Sequence, residues 1–131
     1  IDTLYDIFDT TRHEDSVSVC QKYALFPDLG DWKGKILLLE SSENQPNPEK
    51  YRKMLKALKQ SGIFGVLSGV LVGKPMDERY SKEYQEILPE VIGNPTLPIV
   101  FNLNVGHATP RAIIPFGIMA KVDVSAQRIS F

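Results

Sequence analysis

Three short apolar runs separated by two segments of helical periodicity dominate the hydrophobic pattern of this chain of 131 residues. The apolar runs cover residues 34–40, 66–72 and 98–105, and residues that favour turns lie beside them. Runs of this length are typical of strands that are buried on both faces. The alternation of such strands with helices predicts an α/β domain.

The first segment of helical periodicity has a clear beginning and end. Asn47 is a suitable N-cap, and Pro48 suits the first helical position because its fixed φ angle is already helical. Gly62 stops the pattern, as glycine commonly does after a helix. Between these limits, four apolar residues repeat at helical spacing and predict one buried face: Tyr51, Met54, Leu55 and Leu58.

The second helical segment covers residues 78–91, and its apolar residues also fall on one face. These residues are Tyr80, Tyr84, Ile87, Leu88 and Val91. Pro89 lies near the end of the segment. Because proline removes a backbone N–H and clashes with the preceding turn, we expect Pro89 to kink or end the helix.

The C-terminal part of the chain contains only short apolar stretches. Residues 112–119 and 120–123 are interpreted as strand pieces interrupted by residues 115–117, and residues 128–131 as a strand that closes the sheet. The expected fold is therefore an α/β domain with a mixed central sheet, flanking helices and a β-rich C-terminal half.

Composition excludes several functional classes. The net charge of −1 offers no electrostatic footprint for nucleic acid or for an anionic membrane. No apolar stretch approaches the ~18–20 residues that a membrane span needs. The single cysteine, Cys20, excludes an internal disulfide and favours a reducing compartment, so we expect a cytoplasmic location.

The beginning of the chain is mixed in character and differs from a signal peptide. It starts at Ile1 without an initiator methionine, and we expect the chain to be part of a longer protein. Residues 1–23 are interpreted as an arm or linker from a missing N-terminal domain. Residues 24–131 are interpreted as the domain itself.

Two side chains that can carry chemistry follow strands that we expect to be neighbours in the predicted sheet. Glu40 ends the first apolar run, and His107 follows the third run, in the stretch Gly106-His107-Ala108. In an open α/β sheet, sites form at the carboxyl edge of the strands. A carboxylate there can orient a histidine and stabilise its protonated form, as the acidic member of a catalytic triad does.

Each residue also has a simpler interpretation, as a solvated carboxylate at a strand exit or a loop histidine bonded to backbone. A nucleophile is missing: Ser41 and Ser42 lack the strained elbow that activates a serine, and Cys20 has no activating neighbour. Two histidines without a ligand cluster fall short of a zinc site, and the glycines between residues 62 and 73 do not match a phosphate loop.

The motifs taken together resemble the C-terminal domain of the serine LD-carboxypeptidases, which include muropeptide LD-carboxypeptidases and microcin C self-immunity proteins. The resemblance covers residues 24–131. Its motifs occur in the family's order and are Gly34-Lys-Ile-Leu-Leu-Leu-Glu40, Val66-Leu-Ser-Gly-Val-Leu-Val-Gly73-Lys74, Asn104-Val-Gly-His-Ala-Thr-Pro110 and Ile114-Pro-Phe-Gly117.

This resemblance implies a swivelling β/β/α-type domain that supplies two members of a Ser-Glu-His triad, Glu40 and His107. The serine would come from an N-terminal domain of the same protein, so the chain alone should be inactive. The resemblance further implies hydrolysis of an LD-peptide in a murein tetrapeptide, or of an amide in processed microcin. It implies no metal or organic cofactor, no nucleic-acid or membrane partner, and a homodimer of the complete protein.

The choice between the two substrates stays open. Asn44 lies four positions after Glu40, where microcin-immunity members carry a lysine that contacts the nucleotide part of the substrate. The long second helix is closer to the immunity branch.

Two other functions remain as alternatives. The first is a non-catalytic binding or dimerisation module in which Glu40 and His107 are structural. The second is a phosphocarrier domain with His107 as the phosphorylated residue and Thr109 and Arg111 as anion ligands.

Overall fold

The computed structural model describes all 131 residues and contains five helices and five strands. In chain order these are α1 (Asp2–Asp6), α2 (Ser16–Lys22), α3 (Leu29–Trp32), β1 (Ile36–Leu39), α4 (Pro48–Gln60), β2 (Gly69–Gly73), α5 (Ser81–Ile92), β3 (Ile99–Leu103), β4 (Lys121–Asp123) and β5 (Arg128–Ser130). Two short 3-10 helices, Ile63–Gly65 and Met76–Glu78, lie on either side of β2. None of the helices combines the length and the apolar character that crossing a bilayer requires.

The three predicted apolar runs form one parallel sheet in the order β1-β2-β3. Every residue of β2 is buried, as expected for a central strand covered on both faces. The second run begins its strand at Gly69, because the residues before Val66 form a 3-10 helix. The order also corrects one expectation: β1 and β3 are not neighbours, since β2 lies between them.

Helix α4 confirms the predicted boundaries and the predicted buried face. The Asn47 side chain accepts a hydrogen bond of 2.9 Å from the backbone N–H of Lys50, which satisfies one of the free donors of the first turn. Gly62 follows the helix with a left-handed φ of +83°. All four residues predicted to be buried are buried.

Helix α5 differs from the prediction at both ends. It begins at Ser81 because Asp77, Glu78 and Tyr80 have positive φ angles, which no helix accommodates. It continues past Pro89 to Ile92, and the N–H of the capping residue Gly93 donates to the Pro89 carbonyl at 2.9 Å. Pro89 is exposed, so water can replace the hydrogen bond that proline removes.

The C-terminal region contains less strand than predicted. Residues 112–119 form no strand, and β4 and β5 pair with each other as a separate antiparallel hairpin. The α/β class with parallel and antiparallel strands is confirmed, but the two kinds occupy two sheets. Residues 128–131 do not close the parallel sheet, because their partner is β4.

The N-terminal residues interpreted as an arm contain α1 and α2. Helix α1 packs against α4, and its Tyr5 is buried. The Tyr5 hydroxyl donates to the carboxylate of Asp9, and Lys53 of α4 lies 3.6 Å from the same carboxylate. This contact holds the segment against the domain. The proposed boundary at residue 24 stays a prediction.

Replacing Leu58 with alanine should destabilise the domain by about 2–5 kcal/mol, because a fully buried leucine leaves a cavity that its neighbours only partly fill. Leu58 is 0% exposed, in the cluster between α4, α5 and the sheet. Urea unfolding measures the effect. The control Lys56→Ala, an exposed position on the same helix, should change stability by no more than about 0.5 kcal/mol. Equal effects of the two variants would contradict the assigned core.

Candidate active site

The structure brings the two predicted residues, Glu40 and His107, into direct contact. Oε1 of Glu40 lies 2.5 Å from Nδ1 of His107 and also accepts a 3.0 Å hydrogen bond from the backbone N–H of His107. Because a carboxylate only accepts, the contact requires a proton on Nδ1. Glu40 therefore sets both the tautomer and the orientation of the ring. The Glu40 side chain is 22% exposed and that of His107 39%.

Two glycines let Glu40 reach His107 across the end of β2. A Cβ on Gly73 would lie 2.9 Å from the Val105 carbonyl oxygen and 3.2 Å from Cγ of Glu40. A Cβ on Gly106 would overlap Cγ of Glu40 and lie 2.5 Å from its Oε1. Gly106 also has a φ of +90°, which side chains strongly disfavour. Both positions therefore depend on the absence of a side chain.

A second carboxylate lies beside the other ring nitrogen. Oε2 of Glu43 is 3.0 Å from Nε2 of His107, and the Glu43 side chain is 62% exposed. Glu43 belongs to the short loop between β1 and α4. His107 thus lies between two acidic side chains that both follow β1.

The surroundings of His107 raise its pKa above the ordinary value. The largest cause is the hydrogen bond with Glu40, which stabilises the protonated ring. Partial burial opposes the rise in pKa, the negative charges of Glu40 and Glu43 add to it, and the positive charge of Arg111 opposes it. His107 is therefore more basic than a free histidine.

The loop that follows His107 is anchored at the end of β3. The backbone N–H of Ala112 donates a 2.6 Å hydrogen bond to the carbonyl of Asn104. Thr109 is exposed, and Arg111, also exposed, is close enough to lower the pKa of His107. Carboxylates beside both ring nitrogens are unfavourable for a phosphoryl group, so the geometry disfavours the phosphocarrier alternative.

No serine, threonine or cysteine side chain is hydrogen-bonded to His107. Ser41 is buried, and the backbone N–H of Ser42 bonds to Asp2 at 3.1 Å. No group of three or more His, Cys, Asp or Glu side chains could hold a metal ion. A broad concavity between residues 2–12 and α4 includes neither Glu40 nor His107. The site in this chain is therefore the partly exposed pair of Glu40 and His107, with no nucleophile bonded to it.

Sequence reasoning missed three residues of this site: Gly73, Gly106 and Glu43. The two glycines lie in the strand-end motifs, but their role depends on the strand order, which the hydrophobic pattern does not determine. Glu43 is one of several polar residues in a loop and carries no distinctive signal. Only the path of that loop brings it to His107.

The substitution Gly106→Ala should lower the pKa of His107 towards the ordinary value of about 6.5, because a Cβ displaces the Glu40 carboxylate. The titration of the His107 ring by NMR measures this change, with His13→Gln to assign the second imidazole. Gly117→Ala is the matched control, since Gly117 also has a positive φ (+76°) but no atom within 4 Å of the place that a Cβ would take. An unchanged pKa in Gly106→Ala would contradict the geometry.

The contact should also make folding stability depend on pH. A histidine whose pKa is raised in the folded state contributes stability that is fully present below its unfolded pKa of about 6.5. That contribution is lost as pH rises through the folded pKa. The stability difference between the wild type and Glu40→Gln should therefore be larger at pH 6 than at pH 9. Urea unfolding at both pH values measures it, and a difference that grows with pH would be inconsistent with the pairing.

Similar proteins give this geometry a context. A probable murein peptide carboxypeptidase of Bacillus subtilis (strain 168) is 25% identical over an alignment of 100 residues, and the match covers 72% of this chain and 31% of the relative. A putative carboxypeptidase of Treponema pallidum (strain Nichols) is 28% identical over an alignment of 105 residues, and the match covers 75% of this chain and 29% of the relative. The chain thus spans about a third of the length of these curated relatives.

A solved structure is similar over nearly the whole chain. It is an MccF-like protein from Streptococcus pneumoniae in complex with AMP, with 60% identity and a TM-score of 0.95. The match covers 98% of this chain and 37% of the solved one. The fold described above is therefore also the fold of that region of the MccF-like protein.

A family model described as the LD-carboxypeptidase C-terminal domain matches residues 15–122. The match includes both Glu40 and His107, and the relatives are named as carboxypeptidases, which are peptide hydrolases. Because the family match covers most of the chain, this chain belongs to the LD-carboxypeptidase family, as a C-terminal domain of that family.

Proposed function

We propose that this chain supplies Glu40 and His107 to the Ser-Glu-His triad of an LD-carboxypeptidase-like serine peptidase. The observation that carries the proposal is the 2.5 Å contact between Oε1 of Glu40 and Nδ1 of His107. Because this contact engages Nδ1, Nε2 is the ring nitrogen that would take up the serine proton. The raised pKa of His107 also fits a general base that is stabilised when it takes up a proton.

In the proposed reaction, the serine oxygen attacks the carbonyl carbon of the scissile amide, and its proton passes to Nε2 of His107. Glu40 stabilises the resulting imidazolium through Nδ1. His107 then returns the proton to the departing amine, which leaves an acyl-enzyme. A water molecule attacks the acyl group, again giving its proton to His107, and that proton finally returns to the serine.

The nucleophile of the proposal lies outside this chain, in an N-terminal domain of the same protein. The length of the relatives supports this arrangement, because the chain spans only 31% and 29% of the two curated relatives. It follows that the chain alone should not hydrolyse peptides. Glu40 orients His107 as a base, but an exposed base without a serine cannot form an acyl-enzyme.

The proposed substrate is an LD-peptide of the murein tetrapeptide class, as the name of the Bacillus subtilis relative suggests. An amide with a nucleotide part is the second candidate, because the MccF-like protein was solved with AMP. Asn44 supplies no positive charge for a phosphate at the position next to Glu43. The proposed location is the cytoplasm, which the single cysteine favours because it cannot form an internal disulfide.

A non-catalytic interaction module is the alternative function, and one observation favours it. The loop after His107 exposes apolar side chains that a free surface seldom carries together: Ile113 (94% exposed), Phe116 (79%) and Met119 (87%). This loop could be covered by a second copy of the protein, as in a dimerisation module. It could equally be covered by the domain that brings the serine to His107. Sedimentation of the full-length protein tests the expected homodimer.

In the full-length protein, His107→Ala should lower kcat for a murein LD-tetrapeptide by about 10⁴-fold or more, because the serine loses its base. Release of the terminal D-residue, followed by chromatography, measures the rate. His13→Ala is the matched control, since it removes the other histidine, which is exposed and lies in the N-terminal segment. The fold of both variants is checked by circular dichroism.

Unchanged turnover by a folded His107→Ala protein would reject the triad. If instead the wild type does not hydrolyse either substrate and the protein sediments as a dimer, the interaction module becomes the better explanation. Turnover of a nucleotide amide but not of the tetrapeptide would select the second substrate.

A further inference from the structure

The side of His107 that a nucleophile must approach is occupied by Glu43. A serine oxygen has to come within about 2.6–3.2 Å of Nε2 to give up its proton. Oε2 of Glu43 already lies 3.0 Å from that nitrogen. The carboxylate and a serine oxygen therefore compete for the same position.

The position of Glu43 also determines the protonation state that the pair favours. With Glu40 on Nδ1, a neutral ring has its proton on Nδ1 and a lone pair on Nε2. The negative Oε2 of Glu43, 3.0 Å from Nε2, would destabilise this neutral ring relative to the protonated one. Protonation of Nε2 creates an ion pair with Glu43, but a protonated Nε2 cannot accept a proton from serine.

The two carboxylates differ in how firmly they are held. Glu40 packs against two glycines and bonds to both the ring and the backbone of His107. Glu43 makes one ion-pair contact, with Nε2, and its side chain has no hydrogen bond; most of that side chain is exposed. An exposed ion pair of this kind contributes little to stability and is easily broken. Glu43 can therefore turn away, whereas Glu40 cannot.

We propose that Glu43 is a displaceable carboxylate that occupies the nucleophile's place on His107 and must leave before the serine can react. This inference rests on the proposed function and adds a positioning residue to it. Docking of the serine, with its substrate, would replace Glu43 at Nε2. The Nε2 proton would pass to solvent, and the lone pair that it leaves would then accept the serine proton. The resting site would be kept protonated until the nucleophile arrives.

Three charged groups act on the ring of His107. Glu40 and Glu43 favour the protonated ring, and Arg111, in the loop after β3, favours the neutral one. Without the charge of Glu43, the charged groups that act on the His107 ring are the Glu40 carboxylate and the Arg111 guanidinium. The substitution Glu43→Gln keeps the size of the side chain and removes only the charge.

The test compares kcat/KM against pH for the full-length wild type and for Glu43→Gln, with an LD-tetrapeptide as the substrate. The acidic limb of kcat/KM, which reports the free enzyme, should move to lower pH by about half a unit, as expected for a partly exposed pair. Below the midpoint, kcat/KM of Glu43→Gln should exceed that of the wild type by about 3-fold. The matched control Glu86→Gln, an exposed acid on α5, should leave the profile unchanged.

NMR titration of His107 in this chain by itself separates the possible results. The inference expects a lower His107 pKa in Glu43→Gln than in the wild type, with no change in Glu86→Gln. If Glu43→Gln leaves the His107 pKa or the acidic limb of kcat/KM unchanged, the inference about Glu43 is wrong. The proposed triad still stands in that case, provided that the wild type is active. Loss of activity at every pH would make Glu43 a required group and equally overturn its displacement. A wild type without any activity would reject the proposed function itself, and the displacement of Glu43 with it.

Discussion

The Glu40 side chain meets His107 by crossing the carboxyl end of the strand that separates their own strands. Neighbouring strands lie about 4.8 Å apart, so the outer strands β1 and β3 are separated by about twice that distance. They therefore form no backbone hydrogen bonds with each other. The crossing is possible because Gly73 and Gly106 leave the space that side chains would fill. The orientation and tautomer of His107, and its elevated pKa, all depend on this one contact.

A rigid support under the contact explains why the pair can be half-exposed and still well defined. β2 is buried throughout, and α4 and α5 cover the sheet with fully buried leucines. The loops at the carboxyl edge are therefore attached to a well-packed sheet, and a rigid scaffold of this kind fixes the positions of functional side chains. No hydroxyl or thiol of the chain is bonded to His107 at this edge. In the triad that we propose, the nucleophile is a group that approaches this edge from outside the domain.

Local signals predicted the elements that local interactions stabilise. The N-cap at Asn47, the proline after it and the four-residue apolar face identified α4 with its ends, because each of these acts within one or two turns of chain. The start of α5 was predicted too early, since Asp77, Glu78 and Tyr80 have positive φ angles, which the spacing of apolar residues does not indicate. The short C-terminal strands were overpredicted for a related reason: whether an extended stretch pairs depends on a partner elsewhere in the chain.

The α/β class, helix α4 and the two residues that follow the outer strands, Glu40 and His107, could be predicted from the amino-acid sequence. These depend on apolar period, turn residues and motif, all of which are properties of short stretches of chain. The position of β2 between the outer strands became known only from the three-dimensional fold. The same is true of the two glycines that leave space between Glu40 and His107, and of Glu43 beside Nε2. The reason is that strand order and loop path arise from packing between residues that are distant in sequence, and no local pattern records them.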